Sequence, residues 1–101
     1  MIARAWHGVT EAAKSDEYFD YLEETGIAEY RATRGNRGVF VLLRIEGDKS
    51  HFLLLTIWES VEAIKRFAGS YIEQTRYYPE DEKYLLELEP TVTRYEILAQ
   101  L

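Results

Sequence analysis

Two histidines are the side chains of this sequence best suited to proton transfer near neutral pH. His7 lies within an N-terminal segment that has strand character, and His51 follows a turn at the start of a later strand. An imidazole can act as a general base that removes a proton from a substrate hydroxyl. We take His7 as the candidate base. The sequence favours the competing interpretation, in which His7 is an interior histidine whose ring nitrogens are hydrogen-bonded. No residue near His7 in the sequence indicates a catalytic role for the ring.

The histidines do not predict a metal site. They lie far apart in the sequence, neither has a carboxylate partner suggested by spacing, and the chain contains no cysteine. Metal sites of the zinc type combine several histidine, cysteine or carboxylate ligands at short spacings. We therefore expect no bound metal, and we expect His51, beside its turn, to be exposed to solvent.

Aromatic side chains could form the wall of a pocket for a small hydrophobic or aromatic molecule. The candidates for substrate binding are Trp58, Phe67, Tyr71 and Tyr77. Aromatic faces suit flat apolar ligands, and tyrosine hydroxyls can orient a phenol or a ketone. The same spacings are equally typical of a packed core, and that interpretation is the favoured one.

Length and composition exclude several classes of protein. The 101 residues are 47% hydrophobic and 30% charged, which indicates one folded domain over 1–101. The net charge of −6 disfavours binding to nucleic acid or to an anionic membrane. The N-terminal stretch lacks a signal-peptide pattern, and the apolar run over 52–58 is too short to span a bilayer. Together with the absence of cysteine, these features predict a cytoplasmic protein.

The clearest local pattern lies at 51–69, where an apolar strand runs directly into an amphipathic helix that starts at Ser60. Apolar residues recur at helical spacing after that serine. Around this unit the patterns predict a strand over 2–9, a helix from Thr10 to about Thr25, a polar, turn-rich segment over 27–38, strands over 39–46 and 50–58, a helix over 60–71, a short helix between Tyr78 and Pro90, and a last strand over 91–98.

This order of elements predicts an α+β fold, the ferredoxin-like split βαββαβ arrangement with a four-stranded antiparallel sheet. Two helices can cover only one face of such a sheet. The strands over 39–46 and 50–58 are nevertheless apolar on both faces, so both faces are expected to be covered. A second copy of the same sheet would cover the open face, and we therefore expect a homodimer that forms an α+β barrel.

The chain resembles the antibiotic biosynthesis monooxygenase (ABM) family of dimeric α+β barrels. The resemblance is carried by the order of elements over nearly the whole chain and by three local matches: the sequence TIWES over 56–60, the following Glu62, Ala63 and Phe67, and Tyr95–Glu96–Ile97 in the closing strand. It implies a monooxygenase that needs no cofactor and acts on a flat aromatic or quinone-like molecule. The alternative is a non-catalytic dimeric module that binds a small ligand or only assembles.

The same family includes heme-degrading enzymes, which use an asparagine in the first strand, a tryptophan in the second helix and an axial histidine shortly after that helix. By spacing, those positions correspond to His7, Phe67 and about Tyr77. None of the three residue types is kept, and 72–89 contains no histidine. The resemblance therefore argues against heme degradation.

Overall fold

A computed structural model describes all residues, 1–101, and contains four strands and four α-helices. In chain order the elements are β1 (Ile2–Glu11), α1 (Ser15–Glu24), α2 (Gly26–Ala32), β2 (Asn36–Glu46), β3 (Lys49–Trp58), α3 (Val61–Ala68), α4 (Asp81–Tyr84) and β4 (Thr93–Glu96). The strands form one antiparallel sheet in the order β2-β3-β1-β4. The predicted four-stranded ferredoxin-like α+β fold is thus confirmed. None of the helices combines the length and the apolar character that a membrane-spanning helix needs.

The transition from β3 to α3 forms as the sequence predicts. β3 ends at Trp58, and the Ser60 hydroxyl accepts a hydrogen bond from the backbone N–H of Ala63 at 3.2 Å. This cap satisfies one of the free donors of the first helical turn. The helix ends at Ala68, and the φ of 80° at the next residue, Gly69, suits a residue without a side chain. It is therefore shorter than the predicted helix over 60–71.

The segment between β1 and β2 differs from the prediction. β1 continues to Glu11, so Thr10 lies in the strand, and α1 begins only at Ser15. Gly26, expected to end the helical region, is the first residue of α2. Tyr30 of α2 is buried and packs on Phe67, with 4.3 Å between the ring centroids. This packing explains a helix in a segment whose polar, turn-rich composition predicts a loop.

The two faces of the sheet differ in what covers them. On β1 and β3 the even-numbered side chains point toward the helices and form the core with them. We call this side the helix face. We call the opposite side the open face, and it is formed by Ala5, His7, Phe40, Leu42, Arg44, His51, Leu53, Leu55, Ile57 and Tyr95.

The far half of β2 is uncovered on both sides within one chain. Leu42, on the open face, and Leu43 and Ile45, on the helix face, are all exposed. Cover of the open face by a second copy of the sheet therefore stays a prediction, and within one chain the helix face of this half of β2 is uncovered as well. The helices do not extend over this edge of the sheet, because their buried side chains pack on β1 and β3.

Gly35 provides a test of the contact between the start of β2 and α3. Its φ is 96°, and a Cβ there would lie 2.4 Å from the Cβ of Ala63. Gly35→Ala is expected to lower the free energy of unfolding by about 2–4 kcal/mol, from left-handed backbone strain and overpacking together. Gly47→Ala is the control, since Gly47 has a φ of 61° and no atom within 4 Å of the added carbon. Urea denaturation showing equal losses for both variants would contradict this packing.

A buried carboxylate at the start of α4 ties this helix to α1. Asp81 accepts hydrogen bonds from the Tyr18 hydroxyl at 2.8 Å and from the backbone N–H of Tyr78 at 2.6 Å. The acidic run over 80–82 does begin a helix, as predicted, but Asp81 points into the interior. Burial raises the pKa of the Asp81 carboxyl above its usual value, and it raises the pKa of the Tyr18 hydroxyl as well.

The raised pKa of Asp81 predicts a pH-dependent stability. The folded state binds the proton of the Asp81 carboxyl more tightly than the unfolded state does. The stabilisation that comes from this proton is therefore fully present below the unfolded pKa of Asp81 and is lost as the pH rises through its folded pKa. The free energy of unfolding of the wild type, relative to Asp81→Asn, is expected to fall with rising pH from about pH 4 upward. Denaturation across that range measures it, with the exposed Asp20→Asn as the control. A constant difference between wild type and Asp81→Asn would contradict it.

Candidate functional site

The pairing of β1 with β3 brings the two histidines together on the open face. His7 lies opposite Leu53, and His51 lies opposite Val9, so the histidines are diagonal neighbours. Their rings stack with 5.4 Å between centroids and 19° between planes. His7 Nε2 lies 3.2 Å from His51 Nδ1, which is a hydrogen-bond distance. The expectations that the histidines lack a partner and that His51 is simply exposed are therefore wrong.

A carboxylate completes this group from the loop between α4 and β4. Glu89 Oε2 lies 2.5 Å from His7 Nδ1. The Tyr77 hydroxyl donates a hydrogen bond to the backbone carbonyl of Glu89 at 2.6 Å and so helps to position this residue. Burial is the main reason that the pKa of Tyr77 is raised, and its hydroxyl therefore remains a donor. We call Glu89, His7 and His51 the histidine relay.

The relay borders a shallow groove near the turn between β2 and β3. The groove has a volume of about 280 Å³ and is lined by His7, Leu42, Leu43, Arg44, His51 and Leu53. Arg44 lies directly opposite His51 in the pairing of β2 with β3. Its guanidinium binds the Glu46 carboxylate. The groove therefore offers an apolar leucine surface beside imidazole nitrogens and a guanidinium. An imidazole nitrogen could accept a proton, and the guanidinium could stabilise an anion.

Two of the four predicted wall residues lie in the core on the helix face. Trp58 is fully buried, and its indole N–H donates to the Thr56 hydroxyl at 2.8 Å. Phe67 is buried against Tyr30 and Trp58. The sheet itself separates both side chains from His7, which points to the other face.

The other two predicted wall residues lie outside this core. Tyr71 is 77% exposed and borders a separate surface cleft with Gln74 and Thr91. Tyr77 is half-buried and contacts Glu89, so it belongs to the surroundings of the relay. Of the four aromatic candidates, the structure brings only Tyr77 near His7.

The space between sheet and helices is filled by the chain's own side chains. Arg4, fully buried, donates from Nε to the carbonyl of Ile72 at 3.1 Å and from Nη2 to the carbonyl of Gln74 at 3.0 Å. Its guanidinium also lies over the Phe67 ring, 5.7 Å from the centroid. Arg4 thus fixes the segment after α3 against the sheet, a role that its local sequence does not reveal.

Solved structures with the same architecture place this fold among known proteins. No protein-family model matches the sequence, and no curated protein matches it. A provisionally assigned antibiotic biosynthesis monooxygenase from Bacillus cereus matches with a TM-score of 0.70 and 14% identity, covering 99% of this chain and 95% of that one. The heme-degrader MhuD from Mycobacterium tuberculosis, with two hemes bound in its active site, matches with a TM-score of 0.63 and 17% identity, covering 100% and 99%.

A variant of MhuD with two manganese protoporphyrin IX molecules bound per active site matches with a TM-score of 0.61 and 15% identity. The match covers 100% of this chain and 98% of that one. The structural similarity extends over nearly the full length of both chains. Because the sequence identity is low, the similarity shows the fold, and the chemistry of this chain must be argued from its own residues. The resemblance drawn from the sequence is therefore confirmed at the level of structure: the chain has the ferredoxin-like α+β fold of the antibiotic biosynthesis monooxygenases.

Proposed function

We propose that this protein is a cofactor-independent monooxygenase of the ABM type that acts on a flat aromatic or quinone-like small molecule. The observation that carries the proposal is the pairing of His7 with Glu89 beside an apolar groove. A carboxylate bound to one ring nitrogen orients an imidazole and stabilises its protonated form. In this proposal His7 is the base, and the sandwich of sheet and helices is the rigid support that holds it.

The chemistry begins with removal of a proton from the substrate. The resulting anion lies on the leucine surface, and Arg44 is close enough to the groove to stabilise its charge. The electron-rich anion reduces molecular oxygen, and one oxygen atom forms a bond to the substrate carbon. For a methylene carbon that becomes a carbonyl, the carbon loses two hydrogens, which leave as water with the second oxygen atom. Positioning and anion stabilisation are the contributions of the protein.

A heme does not fit the residues of the helix face. Phe67 and Tyr77 occupy the positions assigned by spacing to the tryptophan and the axial histidine of heme-degrading enzymes. Phe67 packs into the core, and Tyr77 binds the carbonyl of Glu89. Neither side chain can supply an imidazole ligand to iron. The proposed reaction therefore uses no heme held by these two residues, and its independence of any other cofactor is part of the proposal.

The proposal includes a homodimer formed through the open face. Phe40 and Tyr95 on this face are 54% and 57% exposed. Leu55 lies directly opposite Phe40, while Ala3 lies between Tyr95 and Ile57 across the sheet. Packing against the same surface of a second chain would remove this apolar area from water. The relay lies farther along the strands, near the β2–β3 turn, so its groove would remain at the rim of the dimer. We propose that this dimer works in the cytoplasm.

The second candidate function is a non-catalytic module that binds a small hydrophobic ligand or only assembles. The filled interior favours it, since Trp58, Phe67 and Arg4 occupy the space between sheet and helices. In that case the relay would be a polar network that stabilises the sheet and the loop carrying Glu89. The two candidates differ in whether the protein consumes oxygen.

Oxygen uptake by purified, heme-free protein treated with a chelator tests the proposed function. The substrates are a panel of hydroxylated naphthacene and anthrone-type compounds, each measured against a protein-free blank. Uptake above the blank, saturating with substrate concentration, is the expected result. Binding detected by fluorescence without oxygen uptake would contradict the monooxygenase and support the binding module.

A further inference from the structure

We propose that the substrate proton enters the relay at His51 Nε2, so that His51 is the catalytic residue that touches the substrate, while the positive charge comes to rest on His7 beside Glu89. This inference rests on the proposed function, which it deepens by assigning the reacting atom. It also narrows the substrate to a planar molecule with an acidic hydroxyl at its edge, a phenol or an enol.

The hydrogen bonds of His7 leave none of its nitrogens free. Nδ1 is bound to Glu89 at 2.5 Å, and Nε2 is bound to His51 at 3.2 Å. A substrate hydroxyl could bond to His7 only by displacing one of these two partners. His7 therefore has a carboxylate partner, as a general base needs, but both of its ring nitrogens are already hydrogen-bonded and cannot contact a ligand.

The chemistry of the groups sets the direction of the relay. An ionised carboxylate only accepts hydrogen bonds, so the proton between Glu89 and His7 belongs to His7 Nδ1. A neutral imidazole has one donor and one acceptor, so His7 Nε2 accepts from His51 Nδ1. The remaining nitrogen, His51 Nε2, then carries an unprotonated lone pair.

The surroundings of His51 Nε2 suit a proton acceptor. The Glu46 carboxylate lies 4.0 Å away, which is too far for a hydrogen bond, so this nitrogen has no hydrogen-bond partner within the chain and is open to a ligand. Arg44 holds the pKa of Glu46 below its usual value, so that carboxylate stays ionised. Arg44 itself lies opposite His51, and Leu42 and Leu53 lie beside the two rings in the same groove. A planar ring on these leucines would present its hydroxyl to His51 and its developing anion to Arg44.

The proton balance closes within the relay. The substrate O–H bond breaks as an N–H bond forms at His51 Nε2. The proton on His51 Nδ1 passes to His7 Nε2, which leaves His51 neutral and His7 as an imidazolium. The products of this step are a substrate anion and an ion pair between His7 and Glu89. Two charges are formed. The His7 imidazolium lies beside Glu89, and the substrate anion can accept hydrogen bonds from the guanidinium N–H groups of Arg44 that Glu46, bound at Nη1, leaves free.

The tautomers of the two histidines test the relay without any turnover. Nitrogen-15 NMR of the full-length protein at a pH where both rings are neutral is expected to show a protonated Nδ1 and an unprotonated Nε2 on His7 and on His51. These Nδ1–H tautomers would be unusual, because free imidazole side chains favour Nε2–H. A protonated Nε2 on neutral His51 would overturn the inference.

Oxygen uptake by variants tests the role of His51 itself. His51→Gln is expected to lose at least about 100-fold of the rate, within the range for loss of a general base. Lys49→Gln, two positions earlier on β3, is the matched control and should keep the rate within about twofold of wild type. Circular dichroism and urea denaturation confirm that both variants fold.

The outcomes separate this inference from the proposed function. Wild-type uptake that persists in His51→Gln but is lost in His7→Gln would overturn the inference and leave the monooxygenase standing. Absence of oxygen uptake by the wild type would contradict the proposed monooxygenase activity, and it would also contradict a catalytic role for His51. In that case the NMR result would decide only whether the hydrogen-bond order of the relay is correct.

Discussion

His7→Ala is expected to lower the rate of oxygen uptake by roughly 10²- to 10⁴-fold, the range typical for loss of a general base. The substitution removes the ring that joins Glu89 to His51 and leaves the Glu89 carboxylate without its imidazole partner. Whichever nitrogen meets the substrate, the proton can then no longer move to a ring that is hydrogen-bonded to a carboxylate. An oxygen electrode measures the rate with the best substrate of the panel.

The fold of His7→Ala should survive, because His7 is partly exposed on the open face and contributes nothing to the core. Thermal unfolding and circular dichroism check this. Restoration of part of the rate by added imidazole would link the loss to the missing base. A folded variant that consumes oxygen at the wild-type rate would contradict a catalytic role for the relay.

Phe40→Asp is expected to convert the proposed homodimer to a monomer at micromolar concentration. The side chain is 54% exposed on the open face, and in the proposed dimer it lies in the apolar contact. A carboxylate in that contact would lose its water without gaining a partner, at a cost of several kcal/mol. Each 1.4 kcal/mol weakens association about tenfold, so a dissociation constant in the nanomolar range would rise into or beyond the micromolar range.

Analytical ultracentrifugation over a range of concentrations measures this effect. Phe19→Asp is the matched control, since Phe19 is 37% exposed on α1, on the other side of the molecule. It should leave the dimer unchanged. A wild-type protein that sediments as a monomer at every concentration, or a Phe40→Asp variant that remains dimeric, would contradict pairing through the open face.

Much of the fold follows from patterns that are local in the sequence. The apolar run that ends at Trp58 and the cap at Ser60 specify the strand-to-helix unit without reference to distant residues. The order of strands and helices then leaves few topologies, of which the split arrangement is one. These parts of the structure are predictable because neighbouring residues determine them.

Other elements depend on contacts between distant residues, and the sequence patterns miss them. The helix at Gly26–Ala32 exists because Tyr30 packs on Phe67, and Asp81 is buried because it meets Tyr18. Local propensity favours a loop in the first case and a solvated helix start in the second. Tertiary packing overrides both preferences.

The candidate site was predictable only in part, for the same reason. His7 can be singled out by its residue type alone, whereas its partners are set by the register of β1 and β3 and by the path of the loop after α4. Aligning the two strands from Thr10 opposite Ser50 would have placed His51 next to His7. No pattern near Glu89 distinguishes it from the other acidic residues of the chain. The aromatic residues at helical spacing proved to be mostly core, as Trp58 and Phe67 show.

The measurement that tests the central claim most directly is isotope incorporation from ¹⁸O₂. Heme-free, chelator-treated protein is incubated with an anthrone-type substrate under ¹⁸O₂, beside a protein-free blank and the His7→Ala variant. Mass spectrometry is expected to show one ¹⁸O atom in each molecule of product, formed faster than in either control, with the second atom released as water. Product that forms no faster than the blank, while the ligand binds the protein, would contradict the monooxygenase and leave a binding module on this fold.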